Sequence, residues 1–251
     1  MQIIAECTLY CPCRCRFCPL RRLGLNRHRN MSLQSFAQAL ELFSILDRDR
    51  ACVISGGEPS TLPNLEQYVK VAHDLGYTVT IVTNGYNIER VINAGADLVE
   101  VSIDRVGMAH DKERGVDGLW ENIIKAVTSN CRVVIRSTLM KNNIKDIKLM
   151  RKMFSDTPIF VMPVRGCPEI KPTPEQIEEI SKLENVFISN NCPAGIHSFV
   201  ITPSEEGSSV DVLACFIYRR KLGTLKKYSR NELKKILEEG RKIPRFPCEK
   251  K

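Results

Sequence analysis

Short apolar segments alternate with longer amphipathic segments over the first two thirds of the chain, and this alternation restricts the possible folds more than any other feature. The apolar segments have the length and composition of β-strands, and the segments between them carry apolar residues at helical spacing. Six strands are predicted, over residues 2–6, 51–55, 78–82, 97–103, 131–139 and 159–162. Because parallel strands need long and usually helical crossovers, the pattern predicts an α/β fold with a parallel sheet.

The segments between and after these strands supply the helices. Helices are predicted over residues 32–46, 64–76, 118–128 and 144–154, with a shorter one after residue 85. Beyond residue 163 the pattern changes to helices at 173–183 and 229–242 and strand-like segments at 186–188, 199–202 and 210–213. We therefore expect a main region over 1–165 and a smaller α+β region over 166–251.

Polar and glycine-rich motifs follow the first four predicted strands. They are the cysteine loop 11–18, the segment Gly56-Gly57-Glu58-Pro59, the segment Thr83-Asn84-Gly85, and the pair Ser102 and Asp104. Both α/β barrels and open α/β sheets place their active sites at the carboxyl ends of the strands. The sequence therefore predicts a site at this edge of the sheet.

The cysteine loop carries three thiols at C-x3-C-x2-C spacing, from Cys11, Cys15 and Cys18. Structural zinc sites and electron-transfer iron–sulfur centres normally take four protein ligands. A cluster held by three cysteines keeps one iron open for a reactant, which indicates chemistry at the metal. The alternatives are a zinc site that takes Cys7 or Cys13 as its fourth ligand, or buried thiols without metal.

The chain has eleven cysteines in 251 residues, no apolar segment near the ~20 residues of a membrane span, and no secretory signal pattern. We therefore expect a cytoplasmic protein that does not cross a membrane. In that reducing compartment the cysteines are expected to be metal ligands and buried thiols rather than disulfides.

The net charge is +8, and part of it lies in six arginines around the cysteine loop. These arginines are Arg14, Arg16, Arg21, Arg22, Arg27 and Arg29. Such a group could attract an anionic substrate, an acidic electron-donor protein or nucleic acid, or it could be a solvated surface. Aromatic residues are not interleaved with the arginines as base stacking requires, so nucleic acid is the weakest of these partners.

With the cysteine loop, Phe17 before its last cysteine, the Gly-Gly-Glu-Pro segment and the Ser102/Asp104 pair, the first 163 residues or so resemble the radical S-adenosylmethionine (SAM) enzymes. The resemblance implies a partial (β/α)6 TIM-like barrel. It also implies that Cys11, Cys15 and Cys18 hold three irons of a [4Fe–4S] cluster, while the amino and carboxylate groups of SAM chelate the fourth iron. Cys7 and Cys13 stand at spacings that the family does not use.

The resemblance also implies contacts with SAM. Glu58 would accept from the methionyl ammonium, and Gly56 and Gly57 would let backbone approach the ligand. Ser102 would contact the ribose or carboxylate end. The further residues assigned to cofactor binding are Phe17 beside the adenine, Asn84 and Asp104. Alternatives remain open, since Phe17 fits a core position, Asn84 a turn cap and Glu58 a residue at a helix N-terminus.

Arg136 lies inside an apolar predicted strand, where a charged residue needs a partner. The resemblance makes the SAM carboxylate that partner. The alternative is an ion pair with a local acid such as Asp104.

The function implied is reductive cleavage of SAM to a 5′-deoxyadenosyl radical, which abstracts hydrogen from a peptide, a cofactor precursor or a small metabolite. An electron donor such as a ferredoxin or flavodoxin would be the protein partner, and the chemistry would be oxygen-sensitive. The alternative from another class is a non-catalytic iron–sulfur redox sensor or a zinc-stabilised binding protein.

The second half resembles, more weakly, the twitch region, a shortened relative of the SPASM region that carries an auxiliary iron–sulfur cluster. The resemblance would make Cys192, Cys215 and Cys248 ligands of that cluster, with Cys167 as the candidate for the fourth. The spacing between Gly207 and Cys215 departs from the usual pattern. The alternatives are one zinc ion or free thiols.

Overall fold

The computed structural model describes residues 1–189 and 194–243. Its strands are β1 (Gln2–Thr8), β2 (Ala51–Gly56), β3 (Thr78–Thr83), β4 (Leu98–Ser102), β5 (Val133–Leu139), β6 (Ile159–Pro163), β7 (Val186–Ile188), β8 (Ser198–Pro203), β9 (Val210–Leu213) and β10 (Lys221–Leu225). Its helices are α1 (Pro19–Arg22), α2 (Leu33–Ser44), α3 (Leu65–Asp74), α4 (Ile88–Asn93), α5 (Met108–Arg114), α6 (Leu119–Val127), α7 (Ile144–Met153), α8 (Pro174–Ser181) and α9 (Arg230–Arg241). The six strands predicted for the main region are confirmed to within three residues at either end.

The ten strands among the described residues form one sheet in the order β10-β9-β8-β1-β2-β3-β4-β5-β6-β7. Neighbours from β8 through β7 are parallel, and β9 and β10 are antiparallel. The predicted mixed α/β fold with a mostly parallel sheet is therefore confirmed. From β1 to β7, successive strands along the chain are joined by helices, as the alternation in the sequence requires.

The two faces of the sheet differ in what they carry. Alternate residues of β1, such as Ile3, Ala5 and Cys7, are fully buried in the apolar core against the helices. Phe36 and Leu40 of α2 are also fully buried there, and burying such a side chain contributes about 1.5–3 kcal/mol. The other face of the sheet carries polar residues at its centre, and the site is built along its carboxyl edge.

Two helices, α8 and α9, begin with a capping box, a reciprocal pair of hydrogen bonds at the helix N-terminus. The Thr173 side chain accepts from the Gln176 amide, and the Gln176 side chain accepts from the Thr173 amide. Ser229 and Glu232 form the same two hydrogen bonds at the start of α9. Gly76, predicted to end the second helix, has a positive φ of 77°, a conformation that glycine adopts at little cost.

Strands from both sides of residue 165 lie in the same sheet. β8 pairs with β1 over four residues, from Gln2 with Ser198 to Ala5 with Ile201. Phe43 of α2 also packs on Phe199 of β8, with ring centroids 5.7 Å apart. The division at residue 165 stays a prediction, and the described parts of both regions share one sheet and one core. No helix among the described residues is both long enough and apolar enough to cross a membrane.

Candidate active site at the carboxyl edge of the sheet

The cysteine loop follows β1 and is held by other segments at its start and in its middle. The backbone of Cys11 is held by Asn26, whose side chain accepts from the amide at 2.9 Å and donates to the carbonyl at 3.0 Å. Farther along the loop, the amide of Arg14 donates to the carbonyl of Arg114, at the end of α5, at 2.6 Å. Cys18 ends the loop and precedes the first residue of α1. The loop is therefore ordered by contacts with distant parts of the chain.

The loop thiols lie in one contact group. Cys13 and Cys15 are buried, and Cys11 and Cys18 pack against them at the edge of the group. The Asn84 side-chain amide donates to Cys11 Sγ at 3.3 Å. The contact with Asn84 links the cysteine loop to the end of β3.

The thiols differ in how readily they ionise. The hydrogen bond with Cys13 and the nearby Arg114 guanidinium hold the pKa of Cys15 below its usual value, despite its burial. Hydrogen bonds with Cys11 and Cys15, together with burial, raise the pKa of Cys13, and burial raises that of Cys18. Cys15 is therefore the buried thiol of the loop that is set up to be a thiolate.

This donor set fits a [4Fe–4S] cluster. Three thiols at the predicted spacing lie on one ordered loop, one of them favours the thiolate, and an amide donates to the sulfur of another, as donors commonly do at iron–sulfur ligands. Within the described parts of the chain, no group of three His, Cys, Asp or Glu side chains is arranged around a single ion. A cubane cluster requires a different arrangement, because each cysteine binds a separate iron.

Gly56 and Gly57 pack directly against the backbone that leads into the cysteine loop. A Cβ on Gly57 would lie 2.0 Å from the Tyr10 carbonyl oxygen, and one on Gly56 would lie 2.2 Å from that of Thr8. The backbone amides of Gly57 and Glu58 donate to these same two carbonyls, at 2.7 and 2.8 Å. The space that these glycines leave free is therefore filled by the protein's own backbone. Their predicted contact with SAM stays a prediction.

Glu58 joins the end of β2 to the end of β3. One carboxylate oxygen accepts from the Ser60 amide at 3.0 Å and from Thr83 Oγ1 at 2.8 Å. The other accepts from the Asn84 amide at 2.8 Å. Burial raises the pKa of Glu58, while these hydrogen bonds favour the charged form. The Glu58 carboxylate therefore sets the position of Asn84. The Asn84 side chain in turn contacts Cys11 of the cysteine loop.

Asp104, two residues after the end of β4, is fully buried. Its carboxylate accepts from Arg114 at 2.6 Å and from the Thr138 amide at 2.8 Å. Both carboxylate oxygens thus have internal partners, and the predicted contact with SAM stays a prediction.

Arg136 pairs with Glu100 on the neighbouring strand, and the distance from its Nε to the Glu100 carboxylate oxygen is 2.5 Å. The local acid that it pairs with is therefore Glu100 rather than Asp104. The register aligns Arg136 with Ser102, so both lie side by side on the polar face of the sheet. Both are partly exposed there, where a ligand could reach them.

Phe17 and Cys167 lie together in a small apolar group at the ends of β5 and β6. This group contains Met140, Val164, Cys167 and Ile170, with Phe17 packed against it. Cys215 follows β9, and its sulfur accepts from the Ile217 amide at 3.3 Å. Cys192 and Cys248, the other predicted auxiliary ligands, lie outside the described residues, so that ligand set stays a prediction.

Three of the six arginines around the loop have acceptors within the protein. Arg16 pairs with Glu113 at 3.1 Å, Arg27 pairs with Glu205, and Arg29 donates to the Ser204 carbonyl at 2.8 Å. Arg14, Arg21 and Arg22 are exposed. The positive surface near the loop is therefore smaller than the sequence alone indicates.

Comparison with known proteins finds a matching family model, related sequences and similar structures. The family model of the radical SAM superfamily matches residues 6–154. Among curated proteins, the chain is 28% identical over 165 residues to the pre-heme d1 synthase of Dinoroseobacter shibae, which is 61% of this chain and 40% of that protein. It is 31% identical over 105 residues to the Fe-coproporphyrin III synthase of Methanosarcina barkeri, 38% of this chain and 26% of that protein.

A third relative is the PqqA peptide cyclase of Ruegeria pomeroyi, 28% identical over 122 residues, 43% of this chain and 32% of that protein. The chain thus aligns with less than half the length of each of these relatives. A solved structure of anSMEcpe with bound AdoMet and a Cp18Cys peptide superposes with a TM-score of 0.70 at 14% identity, over 100% of this chain and 85% of that one. The structure of Streptococcus suis SuiB bound to precursor peptide SuiA superposes with a TM-score of 0.68 at 15% identity. The match covers 86% of this chain and 60% of that one. These structures share the fold of this chain.

Proposed function

The chain belongs to the radical SAM superfamily, and from this premise we propose that it is an enzyme that cleaves SAM at a [4Fe–4S] cluster held by Cys11, Cys15 and Cys18. The bound cluster and SAM would supply an electron and the 5′-deoxyadenosyl radical that abstracts hydrogen from the substrate. The protein's own residues hold these groups, orient them and exclude water.

One observation carries the proposal: Asn84 connects the cysteine loop to the predicted SAM pocket. Its side chain donates to Cys11 Sγ at 3.3 Å, and its backbone amide donates to Glu58 at 2.8 Å. The ends of β1, β2 and β3 thus meet at one point, where a ligand of the open iron would also lie. A redox sensor or a zinc-stabilised protein has no need of this junction.

The residues around the junction have distinct roles in the proposal. Glu58 would face the methionyl ammonium while it holds Asn84 in place. Ser102 and Arg136, side by side in the register of β4 and β5, would bind the ribose and carboxylate groups. Leu119, fully covered and in contact with the loop thiols, would keep water from the cysteine sulfurs.

For the substrate, we place a tetrapyrrole or similar cofactor precursor first. Two of the three relatives are named for tetrapyrrole synthesis, and the exposed Arg14, Arg21 and Arg22 would favour a substrate with acidic side chains. A peptide is the second candidate, since one relative is a peptide cyclase and two structures of this fold hold peptides. The same arginines would suit an acidic ferredoxin or flavodoxin as electron donor.

The experiment is anaerobic reconstitution of the full chain, followed by reduction with dithionite in the presence of SAM. We expect a brown protein that releases 5′-deoxyadenosine and methionine, and Cys11→Ala should abolish this release. A colourless protein that does not cleave SAM would reject the proposal. Deuterated coproporphyrin III and a deuterated peptide would separate the substrate classes, since only the true class transfers deuterium to 5′-deoxyadenosine.

We also propose an auxiliary iron–sulfur cluster in the region beyond residue 165, with Cys215 among its ligands. The measurement is iron content in a variant in which Cys11, Cys15 and Cys18 are all alanine. If the intact chain holds two [4Fe–4S] clusters, it binds about eight irons and the triple variant should keep about four. Adding Cys215→Ala to the triple variant should remove most of these four. A variant without iron, beside an intact protein with about four, would leave these cysteines as ordinary thiols.

A further inference from the structure

Arg114, the last residue of α5, is a buried arginine in contact with the cysteine loop. Its side chain is 8% exposed and pairs with Asp104 at 2.6 Å. Its Nε has no hydrogen-bond partner among the described residues. A buried charge is costly unless its donors are satisfied, so the unused Nε points to a further partner.

The backbone at Arg114 holds the loop in place. Its carbonyl accepts from the Arg14 amide at 2.6 Å. The next residue, Gly115, lies so close to the loop that a Cβ there would be 3.2 Å from Arg14 Cβ. On the surface, Arg16 pairs with Glu113. The carboxyl end of α5 thus supports residues on both sides of Cys15.

Arg114 lies close to Cys15 in the fold. Its carbonyl accepts from the amide of Arg14, the residue before Cys15, and its buried guanidinium pairs with Asp104. Neighbouring His110 accepts from the Asp104 amide through Nδ1, at 3.3 Å, and burial keeps it neutral. Arg114 therefore supplies a positive charge on this side of Cys15, and Asp104 supplies its counter-charge.

We propose that Arg114 is a positioning residue for the cluster, which anchors the cysteine loop through its carbonyl and raises the cluster's reduction potential through its buried charge beside Cys15. Reduction adds a negative charge to the cluster, and a nearby cation in a poorly solvated site stabilises that charge. The unused Nε is the donor available to the cluster. This inference rests on the proposed function, because it requires that the loop binds a cluster.

The test is a potentiometric titration of the reconstituted full chain without SAM, followed by the EPR signal of the reduced cluster. Arg114→Gln should make the midpoint potential more negative by at least the 59 mV that corresponds to a tenfold change in a one-electron equilibrium. Arg114→Lys keeps the charge and should stay closer to the wild type than Arg114→Gln does. Asp104→Asn keeps an acceptor for Thr138 but removes the opposing charge, so it should shift the potential in the positive direction.

A purely structural role would not produce shifts of opposite sign. The matched control is Arg16→Gln, which removes an exposed contact between the same loop and the same helix and should leave the potential unchanged. Shifts of the same sign in Arg114→Gln and Asp104→Asn, or no shift in either, would overturn the inference. If Arg114→Gln fails to hold a cluster, Asp104→Asn decides alone: a positive shift of its midpoint potential supports the inference, and a negative shift or none overturns it. An intact protein without any cluster signal would instead reject the proposed function itself.

Discussion

Arg219 binds both carboxylate oxygens of Glu6, at 2.8 and 2.9 Å, across 213 positions of sequence. Glu6 lies on β1, five residues before the cysteine loop, and Arg219 lies in the loop between β9 and β10. Both side chains are almost completely buried, at 5% and 11% exposure. The pair therefore connects the strand that leads into the candidate site with the part of the chain that carries Cys215.

Removing one member of this pair should strongly destabilise the protein. Arg219→Ala leaves the Glu6 carboxylate buried without its counter-charge, which typically costs about 3–5 kcal/mol. Lys221→Ala, which breaks a more exposed pair with Asp211, should cost at most about 1 kcal/mol. Urea denaturation of both variants gives the comparison. Equal costs would mean that the buried pair contributes no more than a surface pair.

Alanine variants of the cysteine on β1 and of the cysteines in the loop should differ in how much iron they bind. Cys11→Ala, Cys15→Ala and Cys18→Ala each remove a proposed ligand and should each lose most of the iron of this cluster. Cys7→Ala should keep it, because Cys7 is fully buried in the core on the helix side of the sheet. Iron and sulfide content after anaerobic reconstitution gives the answer. Loss of iron in Cys7→Ala with retention in Cys11→Ala would mean that the ligands are assigned wrongly.

Gly57→Ala should disturb the candidate site more than its size suggests. The new Cβ would overlap the Tyr10 carbonyl, so the strand end and the cysteine loop must move apart. Gly24→Ala is the control, since Gly24 has a positive φ of 67° but no atom within 4 Å of the Cβ position, and should cost about 1–2 kcal/mol. We expect Gly57→Ala to lose more unfolding free energy than Gly24→Ala does. SAM binding should weaken in Gly57→Ala and stay unchanged in Gly24→Ala. Similar behaviour of both variants would exclude the packing role of Gly57.

Buried His110 should make the protein sensitive to acid. Burial, together with Arg114, lowers the pKa of His110 to about 2, whereas in the unfolded chain it is about 6.5. Below pH 6.5 the unfolded chain takes up a proton that the folded protein does not, so stability falls with falling pH, by about 1.4 kcal/mol per pH unit. Above pH 6.5 this contribution is fully present.

The measurement is urea unfolding of the full chain at pH 7, 6 and 5. Below pH 6.5, His110→Gln should reduce the slope of stability against pH by about 1.4 kcal/mol per pH unit. His73→Asn, on the surface of α3, should leave that slope unchanged. An unchanged slope in His110→Gln would show that other groups cause the acid sensitivity.

The parts of the fold that follow from local patterns could be predicted from the sequence. Strand and helix positions depend on apolar periodicity, and the meeting of Cys11, Glu58 and Asn84 follows from their places after parallel strands. β10 escaped prediction because it is short, interrupted by Gly223 and polar at its start. Gly223 itself makes room for Ile236 of α9, which would lie 2.7 Å from a Cβ.

Contacts between distant segments could not be predicted in the same way. Asn26 is one polar residue in an arginine-rich segment, and its two hydrogen bonds to Cys11 depend on the path of the folded loop. The pairing of β8 with β1 joins segments almost 200 residues apart, which no local pattern encodes. The Arg136–Glu100 pair, by contrast, could have been anticipated from two charged residues on one face of adjacent strands.

The position of β1 between β2 and β8 has a consequence for shortened forms of this protein. A fragment of residues 1–165 would keep the cysteine loop and all the predicted SAM contacts, but it would lack β8. The backbone groups along Gln2–Ala5 would then form a free sheet edge, and apolar edges of this kind pair with other molecules. We expect such a fragment to aggregate through β1 before it can be loaded with iron.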